Sequence, residues 1–208
     1  MAPPIVVNKH KFVYYPIPKV ACTSLKQFCA DLLGKKYTNI HLVGFPSKGE
    51  KNYLRFVFVR NPWDRLISCF LNKMKENTRS KDSPSDVFIN GIWQGFSCYA
   101  EKYGFNSGMS FTQFVEAVHR IPDDRAEEHF KSQYIQFPAS AKNLHIYHFE
   151  TIAEDFAEMC NLIGVKYDLL HTMKTDGRKT YRHYYTAQTQ QLVAERYATD
   201  IERFGYGY

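Results

Sequence analysis

Residues 54–74 read LRFVFVRNPWDRLISCFLNKM, and two structural periods meet inside them. Leu54 to Val59 is a short run of β-branched and aromatic residues, the composition of a buried strand. From Trp63 onward the apolar residues Trp63, Leu66, Ile67, Phe70, Leu71 and Met74 fall on one helical stripe. Pro62 suits the first helical turn, where its missing N–H costs nothing. The unit is strand, tight turn, helix, with Arg60 and Asn61 at the turn.

The same plan stands upstream. Lys11 to Ile17 (KFVYYPI) reads as a short buried strand closed by Pro16 and Pro18. A helix follows from Thr23, with Leu25, Phe28, Cys29, Leu32 and Leu33 at helical spacing and Gly34 at its C-terminal cap. Tyr37 to Val43 is a candidate strand, and Asn77 to Asp86 a polar surface loop. Helical patterns recur over Val87 to Tyr103 and Phe111 to His119. A strand over Asn143 to Phe149 leads into a helix from Ile152 to Ile163. Thr172 to His183 is a basic loop, and a last helix runs from Ala187 to Phe204, ending near Gly205. This alternation predicts an α/β fold, a central, mostly parallel sheet flanked by helices on both faces, in a single domain over residues 1–208. In such folds ligands sit at the carboxyl ends of the strands.

Composition narrows the function classes. The chain has 27 Lys and Arg against 21 Asp and Glu, a formal charge of +6, which favours an anionic partner. No RNA-binding signature or sequential basic stripe occurs, so nucleic acid is not the expected partner. The 5 cysteines are Cys22, Cys29, Cys69, Cys98 and Cys160. They are odd in number and lack a C-x-x-C pair, which suggests neither a disulfide framework nor a zinc site. The N-terminal MAPPIVVNKHKF has no long apolar run and no small-residue cleavage site. No secretory signal, no transmembrane segment and a cytoplasmic location are therefore expected.

Two strand-to-helix turns carry the chemistry. The first is Pro18-Lys19-Val20-Ala21-Cys22-Thr23-Ser24-Leu25-Lys26. A helix N-terminus presents N–H donors and partial positive charge. Lys19 and the hydroxyls of Thr23 and Ser24 add to these, and small Ala21 and Cys22 permit close backbone approach, making a cradle for phosphate or sulfate. Both glycines of the G-x-x-x-x-G-K-[ST] loop are absent and the lysine comes early, so this is not the nucleoside triphosphatase loop. A helix capped by Thr23 or Ser24 beside a solvated Lys19 fits the local chemistry equally well. The second turn holds Arg60 and, two helical turns on, Ser68. Arginine offers a planar fork of donors to phosphate, and serine adds a hydroxyl. An Arg60–Asp64 pair with Ser68 on a polar face is the structural alternative.

Together these motifs resemble a known family. PKVACTSLK closely resembles the 5′-phosphosulfate loop of sulfotransferases that use 3′-phosphoadenosine 5′-phosphosulfate, particularly the Golgi-type carbohydrate branch, family 2. FVRNPWDRLIS resembles the same family's 3′-phosphate segment, and the order and separation of the two match. The ending YRHYYT…LVAERYATDIERFGY is similar to that branch as well. The resemblance implies a P-loop-like sulfotransferase fold and transfer of a sulfuryl group to an acceptor hydroxyl, on a glycan or glycoconjugate. It leaves adenosine 3′,5′-bisphosphate as product and requires no metal. It assigns Lys19, Val20, Ala21, Cys22, Thr23 and Ser24 to the 5′-phosphosulfate, and Arg60 and Ser68 to the 3′-phosphate. Lys179, Tyr181 and Arg182, with Arg178, resemble the late loop that closes over the nucleotide. Lys19 is also placed where it stabilises the departing oxygen.

Such a transfer needs a general base for the acceptor hydroxyl, worth about 10²–10⁴ in rate. Among 8 histidines, His129 is the candidate. It lies in DRAEEHFKSQ, similar to the acidic, His-aromatic, Gln segment of the carbohydrate branch. Glu127 or Glu128 is placed to raise its basicity, and Glu128 is the alternative base. The segment from Asn72 to Arg125 is expected to shape the acceptor site, with Trp93, Phe96, Tyr99 and Tyr103 either lining it or filling the core. A lipid or small natural product is an alternative acceptor. A P-loop kinase and a non-enzymatic binder of anionic polymer are the rival classes, and neither accounts for both motifs.

Overall fold

The computed structural model describes residues 3–36, 51–74, 88–89, 92–169 and 180–208. In chain order the elements are β1 (Ile5–Val7), β2 (Phe12–Tyr15), α1 (Cys22–Leu33), β3 (Leu54–Val59) and α2 (Pro62–Lys73), then β4 (Phe88–Ile89), β5 (Ile92–Trp93), α3 (Ala100–Tyr103) and α4 (Phe111–His119). They end with β6 (Leu144–His148), α5 (Ile152–Leu162), α6 (Ala187–Arg196) and α7 (Ala198–Phe204). The strand expected over Tyr37 to Val43, the Asn77 to Asp86 loop and most of the Thr172 to His183 loop lie outside the described residues. The chain divides into two compact units, Met1–Arg60 with Gln133–Gly177, and Asn61–Ser132 with Arg178–Tyr208.

The first unit is built on a four-stranded sheet in the order β1-β2-β3-β6. β2, β3 and β6 run parallel, in the register Tyr14 to Phe56 and Phe56 to His145. The mostly parallel sheet is therefore as the strand–helix alternation predicts. β1 was not foreseen; it pairs antiparallel with the outer edge of β2, Val6 opposite Val13. Helices α1 and α5 meet over the aromatic face of the sheet. Phe28 stacks on Phe12 at 6.2 Å and meets Phe156 edge-on at 5.0 Å, while Phe12 meets Phe56 at 5.7 Å. Phe12, Phe28 and Phe56 are each at most 1% exposed, and each such ring contributes about 1.5–3 kcal/mol by leaving water. Gly34 ends α1 with φ at 61°, a conformation that strains side chains bearing a Cβ, and the next N–H, of Lys35, reaches Ala30 O at 2.9 Å.

The second unit packs α2, α4, α6 and α7 with the segment 92–105 around an apolar core. Its centre includes Leu66, Phe96, Phe105, Phe114, Phe130 and Tyr197. Asn61 caps α2 by accepting from Trp63 N–H at 3.1 Å, with Pro62 opening the helix as expected. Ser110 and Gln113 form a capping box on α4. Two helical expectations are corrected here. Among the described residues, Val87 to Tyr103 is a hairpin, β4 against β5, then a 3₁₀ segment over Gln94–Tyr99, with only α3 helical. The residues Phe88, Ile89, Ile92 and Trp93 flank Asn90-Gly91, a dipeptide that favours two-residue hairpins over helices. The last helix is two, broken at Tyr197, whose buried hydroxyl donates to Phe130 O at 2.6 Å.

Asp123 ties down the start of the segment that leads to His129. Its Oδ1 accepts from Ser132 N–H at 3.0 Å and from Arg196 Nη2 at 2.6 Å. Burial alone would raise the Asp123 carboxyl, but the bonds from Arg196 and Ser132 outweigh it and hold the group below its ordinary value. A lowered carboxyl stabilises the fold above the unfolded pKa of about 3.9 and loses that contribution as pH falls through the folded value. Asp123→Asn should therefore cost about 1–3 kcal/mol at pH 7. Urea unfolding across pH should show the gap from wild type closing as pH drops below about 3.9.

Candidate active site

In the first unit the site begins at the loop between β2 and α1. Lys19 has φ at 70° and Ala21 at 48°, two left-handed residues without glycine. Left-handed residues alternating with ordinary ones are the backbone pattern of anion-receiving concavities. Such conformations cost about 1–3 kcal/mol each in non-glycine residues and persist only where their surroundings impose them. Ala21 is the N-cap of α1 and contributes no side-chain cap; the first helical bond is Leu25 N–H to Ala21 O at 3.1 Å. Neither Thr23 nor Ser24 is thus the cap of this helix. Both lie inside its first turn, Thr23 exposed and Ser24 buried, beside Cys22 at the helix start.

Arg60 meets this loop directly. Its Nη1 donates to the carbonyl oxygen of Lys19 at 2.8 Å, which joins the two motifs through one bond. The guanidinium also lies over the Phe149 ring, 4.1 Å from its centroid. The backbone of Arg60 is held on both sides by one amide: Gln133 Oε1 accepts from Arg60 N–H at 2.9 Å, and Gln133 Nε2 donates to Arg60 O at 2.8 Å. Gln133 is 0% exposed. Sequence reasoning assigned no role to Gln133 or Phe149, because their partners are main-chain atoms and a cation far away in sequence.

In the second unit Ser68 lies two turns into α2 and is buried. His129 lies in a turn, with Phe130 and Lys131 N–H both bonded to Glu127 O. That turn allows what a helix would forbid, and Glu127 folds back onto His129 two residues on. Glu127 Oε2 lies 2.9 Å from His129 Nδ1 and accepts from His129 N–H at 2.7 Å. A carboxylate only accepts, so Nδ1 carries the ring proton and the basic lone pair is on Nε2. Glu127 thus holds the ring by a carboxylate on Nδ1. The Trp93 ring packs against the imidazole at 4.8 Å, with Lys73 Nζ 4.3 Å from the indole centroid. Glu127, Glu128 and His129 also bring ligand-type atoms within 4.8 Å of one another, a crowding of consecutive residues that the turn itself produces. Phe96 and Tyr99 are core residues, as one of the two expectations had it.

Tyr181 and Arg182 belong to a different group of contacts. Arg182 Nη2 donates to the Tyr208 main-chain oxygen at 2.7 Å, and Tyr181 packs edge-on against Tyr208 at 5.8 Å. Asn61 Nδ2 donates to Gly207 O at 2.8 Å, so residues 207–208 are bound to the start of α2. Arg178 and Lys179 lie outside the described residues. Of the other described histidines, His119 Nε2 lies 3.1 Å from Glu195, and His145 and His148 are in β6.

A family model described as the sulfotransferase family matches residues 4–207. The chain belongs to the sulfotransferase family. It is 23% identical to carbohydrate sulfotransferase 14 of Danio rerio, over 97% of this chain and 61% of that protein. It is 26% identical to carbohydrate sulfotransferase 11 of Rattus norvegicus, over 97% of this chain and 66% of that one. Carbohydrate sulfotransferase 9 of Homo sapiens is 26% identical, over 95% of this chain and 48% of that protein. The chain thus spans about half to two thirds of the length of these relatives. No solved structure matches it with significance. Among the described residues, no helix is long and apolar enough to cross a membrane.

Gly95 supports the Trp93 side of the site, since a Cβ added there would fall inside the indole's van der Waals surface. Gly95→Ala should displace Trp93 and with it the packing on His129. Thermal unfolding should show a loss of about 1–3 kcal/mol, with altered near-ultraviolet circular dichroism.

Proposed function

We propose that this chain transfers a sulfuryl group from 3′-phosphoadenosine 5′-phosphosulfate to a hydroxyl on a carbohydrate. The observation that carries the reading is the Arg60–Lys19 bond, which brings together two anion-handling motifs of the chain. The donor set suits this nucleotide. First-turn amides of α1 with Lys19, Thr23 and Ser24 match a phosphosulfate, and the Arg60 guanidinium matches a separate phosphate dianion, the group to which the motif resemblance also assigns Ser68. Tyr181, Arg182 and Lys179 are proposed to close over the nucleotide. The similar proteins, all carbohydrate sulfotransferases by name, support a sugar hydroxyl as acceptor.

Chemically, the transfer resembles phosphoryl transfer: in-line displacement through a loose transition state, with charge growing on the leaving oxygen. Lys19 and the α1 amides neutralise that charge, so the helix end does in the transition state what water would do poorly. His129 Nε2 takes the proton from the acceptor hydroxyl. Glu127 keeps the ring in the required tautomer and stabilises the imidazolium that forms, the role of the carboxylate in a catalytic triad. The sulfur–oxygen bond to the acceptor forms as the bond to the phosphate oxygen breaks.

Calorimetric titration with adenosine 3′,5′-bisphosphate, with AMP and ATP as controls, tests the donor site. Binding should require the 3′-phosphate and weaken at least tenfold in Arg60→Ala. His129→Ala should bind equally well and lose about 10²–10⁴ in turnover. Equal affinity for ATP would instead support a kinase, and loss of binding in His129→Ala would remove it as the base.

A further inference from the structure

Arg65 is one turn before Ser68 in α2. It is 2% exposed, the burial of a core residue, yet it carries a guanidinium. Nη2 donates to Glu128 O at 2.7 Å and Nη1 to Lys131 O at 2.8 Å. These two carbonyls bracket His129. A guanidinium is a rigid planar fork, so two bonds from one side chain fix the spacing and the orientation of both carbonyls at once. Between them, Phe130 O is held by the Tyr197 hydroxyl at 2.6 Å. The carbonyls on either side of His129 are therefore pinned from α2, while Glu127 and Trp93 set the ring.

A simple structural ion would not need this arrangement. A buried guanidinium whose two described bonds go to neighbouring carbonyls of one turn acts on the shape of that turn. Lysine cannot replace it, because an ammonium is a point charge without a fork. Catalytic geometry is sensitive at this scale, since a displacement of about 1 Å can cost about a hundredfold in rate.

We propose that Arg65 is a positioning residue for His129: it sets the base in register on α2, the helix that also carries Ser68. The assignment rests on the reading of His129 as the base. It makes α2 the common support of a donor-site hydroxyl and of the base turn.

The test is Arg65→Lys in the full chain, read in three ways. Nitrogen-15 spectra of the histidine rings should show His129 as one Nδ1–H tautomer in wild type and as a mixture in the variant. Affinity for adenosine 3′,5′-bisphosphate should stay within about threefold, while kcat falls about ten- to a hundredfold. Tyr197→Phe, which removes only the Phe130 bond, should keep both the tautomer and most of kcat. A variant that merely melts earlier, with tautomer and kcat unchanged, would make Arg65 a purely structural residue and overturn the proposal. So would a Tyr197→Phe protein that loses as much as Arg65→Lys, since general loosening would then suffice. If Arg65→Lys does not fold, Arg65→Gln takes its place, and failure of both to fold also overturns it. The tautomer readout needs neither donor nor acceptor. A wild type that transfers no sulfuryl group would therefore sink the proposed activity while leaving the Arg65 assignment to be decided by the spectra.

Discussion

The hydrogen bond from Arg60 Nη1 to Lys19 O ties strand β3 to the loop between β2 and α1, the proposed donor site. It exists because β2 and β3 are parallel neighbours, which places the loops after both strands on the same edge of the sheet. The loop it reaches has two non-glycine residues in the left-handed region, Lys19 and Ala21. Such a loop holds its shape only if something outside it resists relaxation. Arg60 supplies that resistance, and Arg60 is itself fixed at main-chain N–H and C=O by Gln133 and at its guanidinium by Phe149. A glycine-rich phosphate loop relies on freedom of φ; the loop between β2 and α1 lacks glycine and is braced by a buried arginine.

The strand-to-helix junctions were legible because the hydrophobic period changes within a few residues and because Pro62 and Gly34 punctuate the helices. Helix α1, strand β3, helix α2, strand β6 and helix α5 all stand within a residue or so of where the pattern puts them. What failed had weak or conflicting local signals. β1 has only Ile5, Val6 and Val7, too few to show a period, and its pairing with β2 is tertiary. Val87 to Tyr103 is apolar enough to mimic a helix, yet its aromatic residues, β-branched residues and Asn90-Gly91 favour a hairpin and a 3₁₀ turn.

Legibility of the site divides along the same line. The residue types that handle anions are visible in the sequence, because Lys19, Arg60 and the hydroxyls fall at strand-to-helix turns. Residues that hold the site in shape are invisible there. Gln133 and Arg65 donate to main-chain oxygens, and a carbonyl is present at every position, so no complementary residue type announces the pair. The Glu127–His129 pair was half visible: both residues were in view, but a helix would have kept them apart, and only the turn explains their contact.

We propose that the β2–α1 loop and Arg60 form one nucleotide site. The most direct test is a crystal structure of the protein with adenosine 3′,5′-bisphosphate. The 5′-phosphate should lie against the first-turn amides of α1, within reach of Lys19, and the 3′-phosphate on the Arg60 guanidinium. A nucleotide bound elsewhere, or one whose 3′-phosphate faces solvent away from Arg60, would contradict it.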